Sequence, residues 1–220
     1  MKILALVTAK STSTRVRSKN KKLIGGKPLY KWTTDFLVEH KKYFSDICFS
    51  SDAPVFFDLP KEIVSLKRPQ ALCEDRTPHV MSVRHALLHM EKRCETEYDY
   101  VILFQPTNPL RHKKDLEAFI EVMELDRDHI GKTYYVDENI NPGYLEQATQ
   151  WSEETEPEGV IVRSGNMYAY SKQYLVRTDI NINELHSFYV LVPKHRGYNI
   201  NNKEDFTIVE SLMKMYGYAG

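Results

Sequence analysis

Lys10, Arg15, Arg17 and Lys19 fall within ten residues, in the stretch AKSTSTRVRSKN that follows an apolar N-terminal run. Five hydroxyl side chains, Ser11, Thr12, Ser13, Thr14 and Ser18, lie between them, with no carboxylate. Cations, hydroxyls and backbone N–H groups in one loop suit a polyphosphate, whose oxygens accept charge-assisted hydrogen bonds. A solvated loop rich in surface cations is the other reading of the same residues. The loop contains no glycine, so it is neither a GxxxxGK[ST] phosphate loop nor a GxGxxG dinucleotide turn. Lys+Arg and Asp+Glu are balanced at 30 each, so the positive charge is local and marks a site. A general nucleic-acid binder shows a basic excess, which this chain lacks.

The elements around this loop are those of an α/β protein. KILALVTA reads as a strand buried on both faces. PLYKWTTDFLVEH has Leu29, Trp32, Phe36 and Leu37 at helical spacing, with Pro28 suited to the first turn. DICFSSD and EIVSL predict two more strands. HVMSVRHALLHMEKRC predicts a helix with Val80, Val83, Leu87 and Met90 on one face, Thr77 as N-cap and Pro78 at the first position. YDYVILFQPTNPL is a strand that breaks at a proline-rich turn, and KDLEAFIEVMEL is a helix. KTYYV, NMYAYS and FYVLVP read as strands, and NKEDFTIVESLMKMY as a closing helix. This alternation predicts a mostly parallel sheet, whose ligands bind outside the carboxyl ends of its strands. The cationic loop sits at one such end. Residues 138–165, with Tyr144 and Trp151, read as an inserted arm that serves as a lid or a dimerisation element.

The 220 residues, 42% apolar and 27% charged, predict one globular domain. Cys48, Cys73 and Cys94 are scattered and form no CxxC pair, which argues against a zinc ribbon or a disulfide framework. No run approaches the roughly 20 apolar residues of a membrane span. The expectation is a cytoplasmic protein with reduced thiols and no membrane or nucleic-acid partner. The eight histidines form no HxH or HExxH group and read as surface or core residues.

The order of residues in the first loop adds a resemblance. AKSTSTRVRSKNKKLIGGKPL resembles the signature of the CMP-sialic acid synthetase family, cytidylyltransferases that make CMP-activated acidic sugars. Ala9, Lys10, Ser13, Val16, Lys19, Asn20, Gly26, Pro28 and Leu29 fall in register, with Lys10 replacing the family arginine. Lysine keeps the charge and loses the bidentate fork. SSD (50–52) is similar to the family S-T-D, although Asp52 also fits a turn or cap. RPQALCEDRT matches at Arg68, Pro69, Leu72, Asp75 and Thr77, and LFQPTNPLR matches with Asn108 in place of serine. SGNMYAYS matches in part, at Gly165 and Tyr168.

The resemblance implies a Rossmann-like nucleotide-diphospho-sugar transferase fold with a small dimerisation arm, and a homodimer. It implies that Lys10 and Lys19 hold the CTP phosphates beside Ala9, Ser13 and Asn20, and that Arg68 and the loop through Asp75 hold the nucleotide. An Arg68–Asp75 pair that merely orders the loop is equally compatible. Gln105 and Thr107 are implied to line the sugar end; Tyr168 is a sugar contact or a core residue.

RGYNINNKEDF departs from the family. There, two aspartates one residue apart bind Mg²⁺; here those positions are Asn199 and Asn201, which offer oxygen without charge. Asp205 retains a later acid, as a possible metal ligand or a dipole-complementing first-turn residue. The implied activity is attack of an acidic 2-keto sugar (sialic, pseudaminic or legionaminic type) on CTP, giving CMP-sugar and pyrophosphate with Mg²⁺. The alternative is a CTP- or CMP-sugar-binding homologue with weak or no turnover.

Overall fold

The first strand, β1 (Ile3–Ala9), contributes to both halves of the core by simple alternation. Ile3, Ala5, Val7 and Ala9 face one side; Leu4 and Leu6 face the other. A strand that is apolar on both faces must be central, because each face needs a cover. The computed structural model, which describes residues 1–11, 13, 16–74, 76–125, 130–137, 160–176 and 187–218, provides those covers.

The hairpin strands β2 (Leu23–Ile24) and β3 (Lys27–Pro28) lead into α1 (Leu29–Glu39), and then come β4 (Asp46–Ser51) and β5 (Ile63–Lys67). Helix α2 (His79–Cys94), β6 (Tyr100–Phe104), α3 (Lys113–Leu125) and β7 (Ile130–Asp137) follow. β8 (Val160–Ser171), the short α4 (Lys172–Val176), β9 (Ser187–Leu191), the short α5 (Lys194–Gly197) and α6 (Lys203–Met215) complete the order.

Leu37 of α1 and Leu116, Phe119 and Met123 of α3 pack on one face of the sheet. Val83, Ala86, Leu87 and Met90 of α2 pack on the other, with Leu175 of α4. Complete burial of a Leu, Met or Phe side chain contributes about 1.5–3 kcal/mol, which explains why these positions carry the helical period. A third cluster joins Ile24, Leu29, Leu110, Ile200, Val209 and Met213, and so fastens α6 and the segment before it to the start of α1.

The seven-stranded sheet has the order β5-β4-β1-β6-β8-β7-β9. β1 pairs parallel with β4 on one side and β6 on the other, so the strand order reverses at β1. β8 is antiparallel to both β6 and β7, and β7 is parallel to β9, so β8 alone in this sheet runs against the rest. The crevice at the carboxyl end of β1 is the switch point at which such sheets take ligands.

Two sequence expectations change. Thr77 does not cap α2: its hydroxyl donates to the Ala71 carbonyl (2.8 Å) and ties the preceding loop, while Pro78 occupies the cap position without a side-chain bond. Residues 160–165, expected at the end of the arm, form the first half of β8, with Val160 to Arg163 paired to β7. The remainder of the expected arm, 138–159 with Tyr144 and Trp151, lies outside the described residues. No helix among the described residues is long and apolar enough to cross a membrane.

Candidate functional site

The loop after β1 is tied by bonds that leave Lys10 and Lys19 on the crevice. Asp52, just past β4, accepts from the Ser11 backbone N–H (2.7 Å) and the Ser11 hydroxyl (2.6 Å). Burial works to raise the Asp52 pKa, but these bonds outweigh it and hold the carboxyl below its ordinary value. Asp52 is therefore a tie between two strand ends. Ser13 donates to the Val16 carbonyl, and the Lys19 N–H donates to the Ser13 hydroxyl (3.4 Å). Asn20, almost fully buried, donates its amide N–H to the Lys10 carbonyl (3.0 Å). The loop lacks glycine, and its left-handed turn falls instead on Ser18, at φ 52°. A non-glycine residue there costs about 1–2 kcal/mol.

Lys10, Ser13, Lys19 and Asn20 line one wall of a cavity of about 400 Å³, within the usual size range of ligand pockets. Arg68 lines it from the end of β5. Its backbone N–H donates to the Ser51 carbonyl (2.7 Å), its Nε to Cys73 Sγ (3.2 Å) and its Nη2 to the Ala9 carbonyl (3.4 Å). Arg68 thus spans the ends of β1 and β5 through neutral acceptors. Ala9 contributes that carbonyl, while its methyl group belongs to the core. Asp75 lies outside the described residues, as does Arg15.

The end of β6 forms the opposite approach, where Gln105, Pro106 and Thr107 line the cavity. The Thr107 carbonyl accepts from the Ile200 N–H (2.8 Å), and the Ile200 carbonyl accepts from Lys19 Nζ (2.8 Å). Ile200 itself is fully buried, so one residue locks the segment before α6 to both the β6 turn and the cationic loop. The turn is backed by Arg111, whose guanidinium donates to Gln105 O, Asn166 O and Thr33 Oγ1.

Other expected residues fall elsewhere. Tyr168 packs beside Tyr170 and Tyr174 on the α2 face, with its phenol pKa pushed up by burial, and does not line this cavity. Asn201 lines the cavity. Asn199 lies against Gly165, where an added Cβ would overlap its amide, and its Oδ1 is buried without a partner among the described residues. Asp205 Oδ2 accepts from the backbone N–H groups of Asn201 (2.6 Å) and Asn202 (2.9 Å), completing a capping box at the start of α6.

Mg²⁺ is ordinarily held by one or two carboxylates together with phosphate oxygens and water. Among the described residues, no three His, Cys, Asp or Glu side chains are grouped to hold a metal. Glu74 is the acid on the described wall, and it is exposed on the loop after β5. This donor set does not fit an ion held by the protein itself.

His79, the first residue of α2, escaped the sequence reading and lines the cavity. Its Nε2 shares a 2.8 Å hydrogen bond with the Thr8 hydroxyl. Its position after a loop that crosses the carboxyl edge of the sheet was the available signal; isolated histidines carry no metal spacing. His79 remains open to solvent, but crowding within the crevice, then the charges of Arg68 and Lys10, pull its pKa down to about 4, so the imidazole is neutral at physiological pH. Because the native state binds fewer protons than the unfolded chain between about pH 4 and the ordinary value of 6.5, this group makes stability rise with pH across that window. His79→Gln is expected to flatten the pH dependence of the unfolding midpoint there. An unchanged slope would show that His79 titrates normally.

Residues 4–158, more than half of the chain, match the family model described as Cytidylyltransferase. CMP-N,N'-diacetyllegionaminic acid synthase of Legionella pneumophila is 22% identical over 230 residues, 98% of this chain and 97% of that protein. N-acylneuraminate cytidylyltransferase of Escherichia coli is 28% identical over 126 residues, 56% of this chain and 28% of that longer protein. A solved structure of CMP:2-keto-3-deoxy-manno-octonic acid synthetase complexed with CTP shares the fold at a TM-score of 0.66 and 14% identity, covering 98% of this chain and 100% of that one. With the matched residues spanning the cationic loop, the Arg68 turn and the β6 turn, the chain belongs to the cytidylyltransferase family.

Proposed function

We propose that this protein transfers CMP from CTP to an acidic 2-keto sugar of the sialic, pseudaminic or legionaminic type, releasing pyrophosphate. One observation carries the reading: Lys10, Lys19 and Arg68 share a single cavity with Gln105 and Thr107. Cations suited to a triphosphate and neutral donors suited to sugar hydroxyls therefore face the same space. The activity in the name of the Legionella relative, which this chain matches over almost its whole length, supports the same substrate class.

In this reading the anomeric hydroxyl oxygen of the sugar attacks the α-phosphorus. The new O–P bond forms as the bond to the β-phosphate oxygen breaks, pyrophosphate leaves, and the hydroxyl proton passes to water. The protein positions the two reactants and neutralises charge that grows on the leaving group. Lys10 and Lys19 neutralise that charge, Asn20 holds the loop that carries them, and Gln105 and Thr107 orient the sugar. The product is an activated sugar for glycan assembly, and a homodimer is the working assembly.

Pyrophosphate release from CTP with a panel of nonulosonic acids tests this. Release is expected with CTP and one acid class, and not with UTP or ATP. A second reading, a CTP-binding protein without turnover, is favoured by the neutral side chains at Asn199 and Asn201. Native protein that binds CTP but releases no pyrophosphate with any acid would establish it.

A further inference from the structure

We infer that the triphosphate is held here by side-chain cations, without a divalent ion held by the protein. This rests on the reading of the cavity as a CTP site. The key is Ile200, whose carbonyl accepts from Lys19 Nζ at 2.8 Å while its side chain is buried and its N–H is bonded to Thr107. Lys19 is thereby directed to the extended segment that contributes Asn201 to the cavity. A divalent ion placed on this segment would sit close to an ammonium group. Before nucleotide brings its own negative charge, two positive charges repel strongly at such separations unless carboxylates intervene.

Among the described residues, the acid on this wall is Glu74, exposed on the loop after β5, and the groups on and beside the segment itself do not supply that compensation. The amides of Asn199 and Asn201 are neutral, and Asn199 is wedged against Gly165. Asp205 accepts two backbone bonds in its capping box, and Asp52 accepts two from Ser11. Positive charge is instead built into the wall by Lys10, Lys19 and Arg68. Arg68 has neutral hydrogen-bond acceptors, Cys73 Sγ and the Ala9 carbonyl, among its described partners. Ammonium groups act as compact point charges and bind phosphate without the octahedral geometry that Mg²⁺ demands.

The test is the affinity of the full chain for CTP, measured by calorimetry in EDTA and in Mg²⁺, with Mn²⁺ spectroscopy as a second readout. The expected result is affinities within about threefold of one another and no Mn²⁺ bound before nucleotide. In the Asn201→Asp variant, CTP binding in EDTA is expected to weaken by tenfold or more, with Mg²⁺ restoring part of the loss. Asn201 is used because Asn199 is packed against Gly165 and its replacement risks the fold.

A tenfold or greater tightening of native CTP binding by Mg²⁺ overturns the inference and leaves the cytidylyltransferase reading intact. So does a native Mn²⁺ site that Glu74→Gln or Asp75→Asn removes. An Asn201→Asp variant that binds CTP as the native chain does in EDTA also overturns it, since the segment would then lie away from the phosphates. Absence of CTP binding under both conditions defeats the functional reading itself.

Discussion

Lys19→Met is expected to lower CTP-dependent pyrophosphate release by about 10²–10³-fold. That range corresponds to removing one positioned group that stabilises charge developing in the transition state. Lys19 qualifies because its ammonium is not left to wander: the Ile200 carbonyl fixes it at 2.8 Å, and its backbone N–H meets Ser13 at 3.4 Å. The substitution also removes one hydrogen bond from the fold, worth about 1 kcal/mol, so a small fall in melting temperature accompanies it. Steady-state kinetics separate the two effects. Loss of leaving-group stabilisation lowers kcat, whereas loss of ground-state binding alone raises KM with kcat intact. Lys19→Arg keeps the charge and is expected to recover part of the rate, though its planar fork cannot reproduce the ammonium geometry. A Lys19→Met enzyme within about threefold of native kcat would remove Lys19 from the chemistry.

The strands and long helices were legible because their periods are local properties. β1 is apolar at every position but Thr8 and so needs cover on two faces, and α2 repeats its apolar residues at helical spacing. The cationic loop was legible because local charge stands out in a chain balanced at 30 and 30. The reversal of β8 was not, since alternation does not encode strand direction and the return path between β7 and β8 is set by the whole sheet. The separation of Asn199 from Asn201 was hidden for a related reason. An extended chain points both to one side, but Gly165 leaves room that receives the Asn199 amide, while Asn201 reaches the cavity. Asp205 shows a sequence position with two physical uses: an acid in the first turn of a helix fits a metal or a cap, and the backbone N–H groups of Asn201 and Asn202 take it. His79 was missed because its role comes from the crevice around it, with Thr8, Arg68 and Lys10 arriving from other elements.

Arg111→Met is expected to destabilise the fold by about 3 kcal/mol and to lower the melting temperature by about 6–12 °C. Arg111 is buried, and burial pulls its pKa down to about 9, which still leaves it cationic at neutral pH. Its described acceptors are neutral: Thr33 Oγ1 at 2.7 Å, Gln105 O at 2.6 Å and Asn166 O at 3.1 and 3.0 Å, with the Phe104 ring 5.6 Å from the guanidinium carbon. Methionine would spare the cost of burying a cation. It would also strip the donor from the buried Asn166 carbonyl and leave the Gln105 carbonyl with the Asn108 N–H, and an unmet buried group costs about 1–3 kcal/mol. The second effect wins because hydrogen bonds from a charged donor are stronger than neutral ones. The damage should reach function through Gln105. Its carbonyl accepts from both Arg111 and the Asn108 N–H, so losing Arg111 loosens the turn that presents Gln105 and Thr107 to the sugar. Thermal unfolding read beside KM for the sugar and for CTP distinguishes this from general collapse. A positioning role raises the sugar KM more than that for CTP, because the cationic loop is anchored separately by Asp52 and Asn20. Equal changes in both would mean that Arg111 supports the whole fold without orienting the sugar end.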